Sequence, residues 1–289
     1  MSTLDRKVDF AVVLSVTKAN PNGDPLNGNR PRQNYDGYGE VSDVAIKRKI
    51  RNRLQDVGES IFVQSNDRKS DAHNSLRERA DANAELEKIL KSKTASNDDF
   101  ARIACQEWID VRSFGQVFAF KGDKADKGGG VSVGVRGPVS IHTATSIDPI
   151  DITSMQITKS VNSEPGSARG SDTMGMKHRV DTGVYVFYGS INTQLAEKTG
   201  FTNEDAWKIK QALLTLFEND LSSARPDGSM EVHKVYWWEH TSKLGQYSSA
   251  KVHRSLIWER LKDEPKGFGD YSFTVLQLDG LKVEILDGV

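Results

Sequence analysis

The chain has 289 residues, with 39 basic against 40 acidic side chains and a formal net charge of −1. That balance excludes a globally basic nucleic-acid binder, so any polyanion site must be gathered on one face while acids cover the others. Cys105 is the only cysteine, which rules out a disulfide framework or a cysteine-based zinc site within one chain and fits a reducing, cytoplasmic setting; the chain also lacks a signal-peptide-like start and any apolar run near the roughly 20 residues that span a bilayer.

Residues 8–17 alternate, with Val8, Phe10, Val12, Leu14 and Val16 on one face and Ala11 and Val13 on the other, which predicts a central strand. A long Asn/Gly/Pro loop follows, Asn20-Pro-Asn-Gly-Asp-Pro25 and on to Arg30, rich in backbone and amide donors. Ser42 then reads as the N-cap of a helix whose apolar stripe is Ile46, Ile50, Leu54 and Val57. The same helix carries Lys47, Arg48, Lys49, Arg51 and Arg53 with no acid among them. Such a run is either a solvated helix face or a grip on phosphates. The donor-rich loop beside it and the amides at the helix N-terminus favour phosphate. Asn20, Asn22 and Asp24 echo the first ligands of a calcium loop, but Pro31 stands where a glutamate would close it. A turn role for Asp24 is the better reading, and neither a metal nor a cofactor is expected.

Residues 64–110 turn polar, with a thin helical pattern at Leu76, Leu86, Ile89 and Leu90 and a second helix after Asn97-Asp98-Asp99; they predict a helical insertion standing off the main core. Val111–Phe120 reads as a strand and residues 121–130 as a loop. Arg136 lies between Gly134 and Gly137, where it either serves a turn or forks onto a phosphate. Strand patterns at 155–161 and from Met176 to Ile191 flank a polar tip, which predicts a long hairpin over about residues 150–180. Met155, Met174 and Met176 flank that tip, where soft side chains suit either a core or a wedge between bases.

Thr202–Leu221 is the clearest helix, opened by a capping-box-like Thr202 and Asp205. A strand carries Val232 to Trp238, and Trp237-Trp238 is open to a core role or to stacking on bases. Strands at 271–278 and 281–286, joined by Asp279-Gly280, predict a terminal hairpin. The histidines have no metal-ligand spacing, and no nucleophile–base arrangement declares itself. The order of elements predicts an α+β sandwich of the split β-α-β kind.

The ordered set of motifs resembles a known family. The matching pieces are Asn20-Pro-Asn-Gly-Asp-Pro25, Ser42-Asp-Val-Ala-Ile-Lys-Arg-Lys-Ile-Arg51 and Asp110-Val-Arg-Ser-Phe-Gly115. They continue with Val135-Arg-Gly-Pro-Val139, Ser146-Ile-Asp-Pro149, Met174-Gly-Met-Lys-His178 and Phe217-Glu-Asn-Asp220. Together they are similar to the guide-RNA-binding backbone subunit of the type I-C CRISPR Cascade complex, within the RAMP superfamily. The resemblance implies a modified RRM/ferredoxin-like palm over residues 1–61, 111–149 and 181–289. It implies a helical finger insertion at 62–110 and a β-hairpin thumb at 150–180. It further implies RNA contacts from Asn20, Asn22, Arg30, Ser42, Lys47, Arg48, Arg51, Arg112, Arg136, Lys177 and His178. Met155, Met174 and Met176 would displace a guide base. Implied partners are crRNA, a target DNA strand, copies of the same chain, the guide-processing, large and small Cascade subunits, and a recruited helicase-nuclease. Such subunits are non-catalytic. A metal-dependent endoribonuclease of a related RAMP complex, using Asp24 or Asp36, is the alternative.

Overall fold

The computed structural model describes residues 2–91, 96–120, 131–158 and 174–289. Strand β1 (Val8–Ala19) runs into a loop with two short strands, β2 (Gly23–Asp24) and β3 (Arg30–Pro31). Then come β4 (Tyr38–Val41) and α1 (Asp43–Asp56). The next helices are α2 (Leu76–Asp81), α3 (Ala84–Lys91), α4 (Asn97–Glu107) and α5 (Ile109–Phe114). Strands β5 (Gly115–Phe120), β6 (Val131–Arg136), β7 (Val139–Ile141) and β8 (Ala144–Pro149) follow. The hairpin strands are β9 (Ile152–Thr158) and the long β10 (Met174–Ile191). The chain closes with α6 (Thr193–Thr199), α7 (Asn203–Leu214), β11 (Met230–Glu239) and α8 (Ser249–His253). After these come β12 (Leu256–Arg260), β13 (Tyr271–Val275) and β14 (Val283–Asp287).

The main sheet runs β14-β11-β1-β10-β8-β4, and β10 also pairs with β7 and β9. Its ladders are antiparallel. The two apolar faces of β1 explain its central place, since both must be covered. On one face Phe10, Val12, Leu14, Tyr185, Phe187 and Trp237 pack against Ile46, Ile50 and Leu54 of α1 and Ile209 and Leu213 of α7. On the other, Ala11, Val13, Val184, Val186, Tyr236 and Trp238 are capped by Val252 of α8, Leu256 of β12 and Tyr271 of β13. Trp237 and Trp238 therefore point to opposite cores, and both rings are buried rather than offered for stacking.

A second core lies in the insertion, where Phe62, Ala80, Leu86, Phe100, Ile103 and Trp108 pack together. Val111, Phe118 and Val133 join it, so the insertion's core draws on residues 111–136 as well as on the helices before them. Trp108 and Phe118 both lie against Phe62, at ring centroid distances of 4.6 and 5.1 Å.

Three elements differ from the sequence expectation. Residues 111–114 end a helix instead of starting a strand, because the helical turn buries the Asp110 carboxylate under the Phe62 and Val63 N–H groups at 2.7 and 3.1 Å. Helix α7 stops at Leu214, well short of Leu221, and Asn219 beyond it is left-handed (φ +58). The terminal hairpin does not form: β13 pairs with β12 and β14 pairs with β11. Only the Leu278–Leu281 bridge survives at the Asp279-Gly280 turn, because the edge of β11 and the strand β12 compete for the two segments. The tip of the predicted 150–180 hairpin, residues 159–173, lies outside the described residues, as does the predicted loop at 121–130. No helix among the described residues is long and apolar enough to cross a membrane.

Candidate nucleic-acid interface

Helix α1 starts where Ser42 Oγ accepts the Ala45 N–H at 3.2 Å, a cap of one of its orphan donors. No acid stands between Lys47 and Arg53, but Asp43 and Asp56 at the two ends of the helix and acids from elsewhere in the chain pair with its cations. Lys47 pairs with Asp43 at 3.0 Å, one turn back. Arg48 donates to the Val63 carbonyl at 2.7 Å, and burial together with Arg51 pulls its guanidinium below the ordinary range. Lys49 is buried against Asp220, and burial pushes its ammonium down to about 8 although Asp220 opposes the shift. Arg51 reaches Asp110 at 2.9 Å and lies 5.0 Å over the Phe114 ring. Arg53 donates to Thr215 Oγ1 at 2.7 Å. The helix is thus an internally paired element more than an open cationic strip. Lys47 keeps 24% of its side chain exposed and Arg51 only 12%.

The loop before it is built on side-chain–backbone bonds. Asn20 is buried and donates from Nδ2 to the Asn29 carbonyl at 2.7 Å. Asn22 Oδ1 accepts the Ser42 N–H at 2.9 Å, tying the loop to the start of α1. Asp24 caps the 3-10 turn at Pro25–Asn27 by accepting the Leu26 N–H at 3.2 Å, and it pairs with Arg32 at 3.5 Å. Asp36 sits in the exposed turn held by Asn34 Oδ1, which accepts the Asp36 and Tyr38 N–H groups at 3.0 and 2.9 Å. Neither aspartate belongs to a cluster of three or more potential metal ligands among the described residues.

Residues distant in sequence converge at the root of the β9–β10 hairpin. Arg30 NH1 donates to Ser154 Oγ at 2.7 Å and lies 3.5 Å from His178 Nδ1, a residue 148 positions away. Ser154 Oγ and His178 Nδ1 are 2.8 Å apart. Arg30 thus has no carboxylate among these partners, whereas Lys47, Lys49 and Arg51 of α1 each face one. Pairing of β9 with β10 sets Ser154 opposite His178, Gln156 opposite Met176, and Met155 opposite Lys177. Cross-strand partners share a face and neighbours alternate. Met176 therefore lies on the His178 and Arg30 face, whereas Met155 and Lys177 lie on the other, and the methionines do not form one wedge. Met176 is 57% exposed. Met174 is placed in the strand opposite Thr158, and its side chain lies outside the described residues.

Two further cations were missed in the sequence: Arg179, at this root, shares the Lys177 face and lies 3.8 Å from Asp181, and Arg32, just after β3, lies 3.5 Å from Asp24. The Nε atoms of both are buried with no hydrogen-bond partner. Strand alternation from Lys177 was the available signal for Arg179; nothing local pointed to Arg32.

The remaining predicted residues sit elsewhere. Arg112 forks onto Asp205 at 3.0 and 2.7 Å and also donates to the Cys105 carbonyl at 3.3 Å, so its donors are engaged within the chain. Arg136 is exposed at the end of β6 and belongs to none of the described ion pairs. Its neighbourhood depends on two glycines. A Cβ on Gly137 would lie 2.3 Å from the Ser113 carbonyl, and one on Gly115 (φ +79) would lie 2.3 Å from the Val135 carbonyl.

These features define an α+β protein with a central antiparallel sheet, a separately cored insertion and a long hairpin whose root gathers incompletely paired cations. The chain belongs to the family described as CRISPR-associated protein Cas7, which matches residues 6–276. A protein of that description from Haloferax volcanii (strain DS2) is 25% identical over 239 residues, 77% of this chain and 67% of its own length. A chain of a solved "CRISPR RNA-guided surveillance complex, pre-nicking" is similar at a TM-score of 0.48 and 18% identity, covering 80% of this chain and 75% of that one. A chain of another "CRISPR RNA-guided surveillance complex" is similar at 0.45 and 16%, covering 80% and 68%.

Proposed function

We propose that this chain is a non-catalytic guide-RNA-binding backbone subunit of a type I-C CRISPR interference complex, several copies of which assemble along one crRNA in the cytoplasm. Membership of the Cas7 family across residues 6–276 carries the reading. The strand order β11-β1-β10-β8, with α1 and α7 on one face, supports an RRM/ferredoxin-like palm. In an ordinary domain of that type, aromatic side chains on the open sheet face stack bases. Here that face is capped by α8, β12 and β13, which favours a guide path along the loop at residues 20–31 and the hairpin root. Arg30, Lys177, His178 and Arg136 are the contacts we assign first, joined by Arg32 and Arg179. Asn20, Asn22 and Ser42 act through the loop's shape, Lys47, Arg48 and Arg51 through whatever surface their partners leave open, and Arg112 by holding α5 against α7. The helical insertion is the finger and the β9–β10 hairpin the thumb. Met176 presses on the guide from one face of the thumb and Met155 from the other. Sequence reading is left to base pairing with the target DNA strand. The guide-processing, large and small subunits and the helicase-nuclease complete the assembly.

The test is a salt titration of guide-RNA binding with two unrelated guide sequences. Arg30→Ala, Lys177→Ala and Arg136→Ala should each weaken binding to the same extent for both sequences and reduce the salt slope by about 1. Unchanged affinity and slope in all three variants would refute the assignment.

A further inference from the structure

We propose that Asp220 is a positioning residue for the loop at residues 20–30, acting through Lys49 and Arg225; its consequence for RNA rests on the guide-binding reading above. The loop hangs from two separate supports. At its start, just past the end of β1, where Lys18 is left-handed (φ +51) within the strand, the Asn20 N–H donates to the Ala224 carbonyl at 2.9 Å. Further on, Asn22 Oδ1 accepts the Ser42 N–H at 2.9 Å and the Asn22 carbonyl accepts the Arg32 N–H at 3.2 Å. The first support is the turn at 222–225, closed on itself by Ser222–Arg225 backbone bonds of 2.8 and 3.1 Å. The second is the start of α1.

Asp220 joins the two supports. Its Oδ2 takes the Lys49 ammonium from α1 and the Arg225 Nε from the turn, the latter at 3.1 Å. Lys49 is only 5% exposed and lies 5.4 Å over the Phe217 ring, so its ammonium is fixed in place. A buried ion pair is a weak source of stability compared with apolar packing. Its geometric demand is strict, however: Asp220 must hold α1 and the turn in one register, and that register sets where Asn20 stands relative to Asn22 and the Arg32 amide that closes the loop on it. The Phe217-Glu-Asn-Asp220 segment thereby acquires a role that no phosphate contact supplies.

The test uses the full chain. The double variant Lys49→Met with Asp220→Leu removes both buried charges together, so neither is left unpaired. Arg225→Gln cuts only the arm to the half-exposed turn and carries the test if the double variant fails to fold. In the folded variants we expect hydrogen exchange at the Asn20 and Arg32 amides to rise about tenfold or more, with the amides of β1 and β10 unchanged. Guide-RNA affinity should fall while the salt slope stays at the wild-type value, since no phosphate contact is lost. Wild-type exchange at both amides in a folded variant overturns the proposal, and so does a reduced salt slope, which marks a direct contact. If the wild type binds no RNA and exchange still rises, the positioning role stands and the guide-binding reading falls.

Discussion

Asp110 illustrates how one side chain decides local structure in this protein. It is fully buried and accepts from the Phe62 and Val63 N–H groups and from Arg51 Nε, so it ties α1, the entry to the insertion and α5 together. Asp110→Ala should cost about 3–5 kcal/mol, because a buried cation and two amides lose their acceptor; urea unfolding measures it, and a loss below about 1 kcal/mol contradicts the bracing role. Gly137 is a second such point. With Ser113 O only 2.3 Å from where a Cβ would stand, Gly137→Ala should destabilise by about 1–3 kcal/mol and shift the backbone next to Arg136. Neither role was legible in the sequence. Asp110 stood in a recognised motif, but nothing adjacent indicated which N–H groups it would meet. The cations of α1 were legible as a cluster, whereas the acids that pair with them are Asp43, Asp56, Asp110 and Asp220, the last two remote in the chain.

Elements with strong local signals start where they were read, while their ends are set by the fold: α7 stops at Leu214, and Val57 of the predicted stripe lies beyond α1 at 60% exposure. The capping box of α7 is present: Thr202 Oγ1 accepts the Asp205 N–H at 3.1 Å, and Asp205 Oδ2 accepts the Thr202 N–H at 2.9 Å. Thr202→Ala should therefore cost about 1 kcal/mol of stability, read from the thermal or urea midpoint. Asp205→Ala should cost more, since Arg112 also forks onto that carboxylate. The insertion's core is a matter of contact between segments. Phe118 packs against Phe62 and Phe100 at 5.1 and 5.0 Å, across the boundary that the sequence placed at residue 110. Phe118→Ala should lose about 3–5 kcal/mol and loosen the insertion first, seen as faster exchange in α4 with β1 unaffected. Alternation identified β5 as a strand; it carried no sign of which core the strand would join.

At the scale of the whole molecule, the C-terminal cap is latched to the sheet by a buried polar network. Burial alone would raise the Asp9 carboxyl, but bonds from His240, Ser249 and Lys7 prevail and hold it below its ordinary 3.8. Burial lowers the His253 imidazole below 6.5, although the Gly189 carbonyl and Asp9 oppose the shift; His142 and Lys7 add to it, and Tyr188 stacks on the ring. For the histidine, the unfolded chain binds the proton first, so stability should begin to fall as pH drops below about 6.5. The aspartate's contribution is present above 3.8 and is lost as pH falls through its lowered folded value. Urea midpoints between pH 8 and 3 should show both stages, and His253→Gln should flatten only the upper one; a flat profile down to pH 4 in the wild type contradicts the first stage. The sequence by itself determined the elements whose signals are local: the alternation of β1, the stripe and cap of α1, the capping box of α7, the paired strands of the hairpin and the family motifs. Only the tertiary structure decided which charges remain available. Ion pairing, strand partnership and the facing of β9 against β10 all depend on residues far apart in the chain. Hence, among the described residues, Arg30 and Lys177 belong to no ion pair, Arg32 and Arg179 face Asp24 and Asp181 at 3.5 and 3.8 Å, and most of α1's charge is neutralised by carboxylates around it.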